Sequence, residues 1–177
     1  MSPELHAYAY VEAPFDLCIR LLAENASQVL QQATDESAEQ ARVLSRPLAV
    51  EVGGFSVSHD VVIEVGEFEP RRLTCAVVPL SWHAETGRLL FPTMEAELEV
   101  AALVFDPPLT QVTLRGTYEP PLGVLGAGAD RLALGHLAEA TVHRFVHEVA
   151  DQLRRLVEAI PEDERLWSPP PGEPAPR

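Results

Sequence analysis

From Ala138 to Ile160 the chain keeps one apolar face at helical spacing. Ala138, Val142, Phe145, Val149, Leu153, Leu156 and Ile160 recur every three or four residues, while Glu139, His143, His147, Asp151, Arg154 and Glu158 take the opposite side. Extended back to Asp130, such a helix is roughly 46 Å long at about 1.5 Å per residue. An apolar stripe of that length needs a cover of matching size, and the preceding sequence offers a sheet. Glu95, Glu97 and Glu99 alternate with Met94, Ala96, Leu98 and Val100, the pattern of a strand with one face on a core and one in water.

The order of the other segments follows from their periods. "LHAYAYV" alternates and reads as a strand; "PFDLCIRLLAE" has Pro14 in a first-turn position and Phe15, Cys18, Ile19 and Leu22 at helical spacing; "SQVLQQATDESAEQ" reads as a second, more polar short helix. Strands follow: "LAVEV" and "FSVSHDVVIEV" as a hairpin across Gly53 and Gly54, then "RRLTCAVV", "LSWHAE", "TMEAELEVAAL" and "QVTLRGTY". No helix interrupts them, so the sheet is expected to be antiparallel and the class α+β. A total of about seven strands requires the chain to turn near Pro79, splitting "LTCAVVPLSWHAE".

At 177 residues and 46% hydrophobic content the chain can bury one core, expected over residues 1–160. Residues 161–177, "PEDERLWSPPPGEPAPR", hold six prolines and almost no aliphatic side chains, so a disordered tail is expected there. A net charge of −14, from 27 acidic against 13 basic residues, argues against nucleic acid or an anionic membrane as partner. A neutral or apolar ligand is more compatible. No apolar run reaches the roughly 18 residues of a membrane span. "MSPELHAYAY" has no basic region followed by an apolar core, so a cytoplasmic location is expected. Cys18 and Cys75 lack metal-ligand or CxxC spacing and read as reduced core residues.

Two stretches resemble a known family. "YVEAPFDLCIRLLAE" is similar to the opening strand and helix entry, and "GTYEPPLGVLGAGADRLALGHLAEATVHRFVHEVADQLRRL" to the ending, of the START-like SRPBCC superfamily, which includes the birch-pollen-allergen proteins and the polyketide cyclases. The resemblance covers roughly residues 5–160 and is specific for fold rather than function. It implies a helix-grip fold: a curved antiparallel sheet of about seven strands wrapped around a long C-terminal helix, with two short helices after strand 1 and a cavity between sheet and helix. On that reading the junction "RGTYEPPLGVLGAG" ends the last strand and launches the helix at a mouth of the cavity; a simple connector is the alternative.

Alternation in "FSVSHDVVIEV" places His59 among Phe55, Val57, Val61, Ile63 and Val65, a polar residue on an apolar face. Buried there unpaired it would cost about 1–3 kcal/mol, so a structural partner, water or a ligand is expected beside it. Trp82 and Tyr118 offer apolar surface and one donor each on the implied concave side, though core packing accounts for them too. With Met94, Leu98 and Phe145 they form the candidate ligand-binding set. The ladder Glu139, His143, His147, Asp151 lies opposite the apolar stripe and reads as a solvated face rather than a metal edge. No catalytic nucleophile with a base, metal site or cofactor motif is found, and neither metal nor cofactor is expected. Three functions remain: a carrier or sensor of a hydrophobic small molecule such as a lipid or polyketide; a polyketide cyclase or dehydratase with His59 as acid or base beside Tyr118; or a protein-interaction module. The first fits the aliphatic lining best.

Overall fold

β1 (Glu4–Val11) alternates exposed and buried residue by residue, as the period-2 pattern demands. Leu5, Ala7, Ala9 and Val11 enter the core, whereas His6, Tyr8 and Tyr10 stack along the outer face. The computed structural model describes residues 4–51, 61–84, 93–119 and 131–161. After β1 come α1 (Phe15–Glu51), β2 (Val61–Val65), β3 (Glu69–Arg72), β4 (Cys75–Ala84), β5 (Thr93–Phe105), β6 (Pro108–Glu119) and α2 (Arg131–Glu158). All strand pairs are antiparallel, in the order β1-β6-β5-β4-β2, with β3 also pairing with β4. The two helices share one buried cluster with the inner face of the sheet.

Several expectations are corrected. The described residues form six strands, not about seven, and the sheet is open and uncurled rather than wrapped around a helix. The missing strand division is at Pro79, where β4 runs straight through. β2 ends at Val65 and β3 begins at Glu69, so the ladder beside Pro79 is already interrupted. The Pro79 carbonyl accepts from the Gly66 N–H at 2.8 Å, and the proline's missing donor faces the same gap, where no strand partner waits for it. Gly66 permits this approach, since a Cβ there would lie 3.1 Å from that carbonyl oxygen.

The two helices expected after β1 are present within α1 and meet at a kink at Asn25 (φ −120°, ψ 16°), but the second is longer than expected. The Asn25 side-chain amide donates to the Leu21 carbonyl at 2.8 Å, competing with the backbone ladder and marking the bend. The chain then continues helically through Glu51 and takes in most of "LAVEV", a run too short for its period to separate strand from helix. Taken across its kink α1 has 37 residues; α2, which is unbroken, has 28. The α2 stripe is buried as its spacing requires, Val142, Phe145, Val149 and Leu153 most completely. Its principal cover is α1, with β1 next, rather than the sheet alone. Arg154 links α2 to that edge strand, its Nη2 donating to the Tyr10 carbonyl at 2.7 Å while the guanidinium also pairs with Asp151. The hairpin at Gly53 and Gly54, the junction from Pro120 onward and the tail from residue 162 lie outside the described residues.

Both cysteines are free. Burial pushes the Cys18 thiol from 9.0 up to about 11, opposed in part by a hydrogen bond with Thr110. Its neutral form is the one favoured by folding, so stability contributed at this site is complete below pH 9.0 and falls as pH climbs toward about 11. The half-buried Cys75 thiol is also raised, first by burial and then by Glu99. We expect a maleimide to label Cys75 in the native protein and to reach Cys18 only in denaturant. Equal native labelling, read by mass spectrometry, would contradict the packing around Cys18.

Candidate functional site

One rung of the inner face gathers most of the candidate residues. Ile63 pairs with Trp82, Trp82 with Met94 and Met94 with Tyr118, so four large side chains cross β2, β4, β5 and β6 at intervals of about 4.8 Å. Trp82 and Tyr118 are 7% and 8% exposed, and Met94 is half-buried. From α2, Phe145 meets the Trp82 ring edge-on, with centroids 5.1 Å apart and planes at 89°, the arrangement that the ring quadrupoles favour. Leu98 lies two inward positions deeper on β5 and is fully buried between its register partners Val78 and Leu114. His59 lies outside the described residues.

The polar partner of the rung is one that sequence reading did not single out. The Trp82 indole Nε1 donates at 3.1 Å to Thr34 Oγ1 on α1, and Thr34 in turn donates to the Leu30 carbonyl at 2.8 Å. Ser37, one turn on, is equally buried and donates to the Ala33 carbonyl at 2.6 Å. The signal was present in the spacing of Val29, Leu30, Ala33, Thr34 and Ser37, whose small hydroxyls made an inward face look polar. The rung is thus an aromatic and thioether surface packed against α1, whose Thr34 and Ser37 hydroxyls each donate to a carbonyl of their own helix.

Titratable groups are sparse on this side. Among the described residues the one buried carboxylate is Glu148 on α2, held by Arg144 and by Arg155 at 3.9 Å. Glu139, His143 and His147 stand on the exposed face of α2, and no group of three or more metal-ligating side chains is assembled among the described residues. A groove of about 970 Å³ crosses the opposite, outer face, between a row containing Glu4, Glu95 and Glu64 and a row containing His6, Arg115 and Glu97. It shares no lining residue with the rung. No helix of the described residues is long and apolar enough to cross a membrane.

No family model and no curated protein matches the chain. Among solved structures it is similar to TTHA0849 of Thermus thermophilus at 16% identity, covering 89% of this chain and 100% of that one with a TM-score of 0.44. Hypothetical protein jhp0584 of Helicobacter pylori matches at 9% identity, 87% and 89% coverage and a TM-score of 0.47. The Zhui aromatase/cyclase of Streptomyces sp. R1128 matches at 15% identity, 90% and 98% coverage and a TM-score of 0.39. At these levels the likenesses assign neither a family nor an activity.

Proposed function

We propose that this protein binds a hydrophobic small molecule, a lipid, polyketide or similar compound, between the inner face of the sheet and the helices, as a carrier or sensor. The contacts in this reading are His59, Trp82, Met94, Leu98, Tyr118 and Phe145. The observation that carries it is the rung itself: three large side chains from adjacent strands in register, an aromatic edge from α2 and a buried hydroxyl partner from α1. Ligand sites are mostly apolar with a few placed polar groups, and this combination fits that description. A cyclase or dehydratase would require a proton donor and acceptor beside the ligand. The buried carboxylate of the described residues is instead engaged by two arginines, which favours binding over catalysis.

Native mass spectrometry of the purified protein should reveal a hydrophobic molecule that co-purifies and is released on denaturation. The stripped protein should bind N-phenyl-1-naphthylamine with enhanced emission and be displaced by long-chain fatty acid. Absence of both a co-purifying molecule and probe binding would defeat the reading.

A further inference from the structure

We propose that the tip of the β5–β6 hairpin docks Leu166 and Trp167 of this same chain, from the segment that follows α2. The contact is independent of the ligand reading and lies at the end of the sheet away from Trp82, Met94 and Tyr118. Val11, the last residue of β1, stands opposite Thr110, so Leu109, Pro108, Phe105 and Val104 overhang the end of this edge strand. Between Ala102 and Val104 the β5–β6 register shifts, and such bulges re-aim side chains at sheet rims. Phe105 is 76% exposed and Leu103 50%; Val104 and Tyr10, the last outward residue of β1, are each 41% exposed. Turns ordinarily carry Gly, Asn, Asp or Pro, so an apolar tip needs another reason.

α2 delivers the chain to this place. Phe145 meets Trp82 at the far end of the sheet and Arg154 reaches the Tyr10 carbonyl, so the helix runs toward the tip. Residues 155–160 carry it about 9 Å further, the last turn closing with the Ile160 N–H on the Val157 carbonyl at 3.2 Å. Pro161, which follows, is exposed. Six more residues reach Trp167, up to about 20 Å of extended chain. Tyr10 and Val104 are two strand spacings and two positions apart, roughly 12 Å. The segment is long enough to cover both.

Size and charge select this occupant. The four side chains expose on the order of a few hundred Å², the scale that one tryptophan and one leucine bury. That is short of the roughly 800 Å² per partner of a standard protein interface. A tethered segment needs no such area, because its effective concentration is about millimolar from the start. The charged neighbours of the tip are acidic: Asp106 in the turn and Glu12 just past β1, both exposed. They oppose an anionic surface and suit Arg165, immediately before Leu166, as a small and salt-sensitive contribution. The acidic residues 162–164 fall in the span between α2 and the rim. Leu73 lies beyond β5 on the side away from β1 and has no part in the contact.

Trp167 is one of two tryptophans, so a Trp82→Phe background reports on it alone. In that background its emission should be blue-shifted and shielded from acrylamide, and Phe105→Ser should move both readings to those of free indole. The parent chain gives a second measurement that needs no background substitution. There Trp167→Ala and Phe105→Ser should each lower the Tm by roughly 2–4 °C, and the double variant should lose no more than either alone. Leu73→Ser should leave the Tm and the quenching unchanged. Arg165→Gln should raise quenching part of the way, an effect that disappears at about 1 M salt. Free-indole emission from Trp167 before any change at Phe105, or Tm losses that add, overturns the proposal. So does shielding of Trp167 that is lost on dilution, which would assign the tip to a second copy of the chain.

Discussion

Gly116→Val should lower the unfolding free energy by roughly 3 kcal/mol, a large fraction of the about 5–15 kcal/mol that holds a domain folded. Gly116 stands opposite Ala96 in the β5–β6 ladder, and a Cβ there would lie 2.5 Å from both the Ala96 Cβ and the Glu95 carbonyl oxygen. The oxygen belongs to the backbone and cannot swing aside. Valine is a good strand former, so β propensity cannot account for a loss at this position. Thr117→Val, at the exposed neighbouring position, should stay within about 0.5 kcal/mol of the parent. Denaturant midpoints for the two variants make the comparison. An unperturbed Gly116→Val protein would mean that the strands do not approach as described.

Trp82→Ala should cost about 3–5 kcal/mol, because it removes a buried indole, its edge contact with Phe145 and its hydrogen bond to Thr34 together. Trp82→Phe should cost only about 1 kcal/mol, since the ring contact survives and Thr34 still donates to Leu30. The informative measurement is naphthylamine affinity on the phenylalanine variant. A ligand seated on the rung loses the indole surface, so affinity should fall several-fold although the fold persists. Unchanged affinity would make Trp82 a packing residue and move the ligand elsewhere.

The α2 stripe and the alternation of β1 and β5 were legible because each is long enough for its period to be unambiguous. Three features were not. α1 buries Val29, Leu30 and Ala33 beside two hydroxyl residues, so its inward face is camouflaged by Gln, Asp and Glu on the outside. Pro79 signals a break only if its missing donor is needed, and that depends on β2 and β3 stopping on either side of it. The alliance of Trp82, Met94 and Tyr118 is a matter of register, which pairs residues 12 and 24 positions apart and leaves no local trace. Thr34 was invisible as a site residue for the same reason, its partner lying 48 residues away.

β1 has a consequence for the way the protein comes into being. Its ladder partner β6 begins at Pro108, and the arginine that caps its outer edge is residue 154, 144 positions beyond Tyr10. On the ribosome, the first strand made must wait for nearly the whole domain before its backbone finds either neighbour. Closing such long loops is slow, and an unpaired strand invites pairing with the wrong chain in the meantime. α1, made next and able to form from local contacts, is positioned to shelter the apolar side of β1 until its partner arrives.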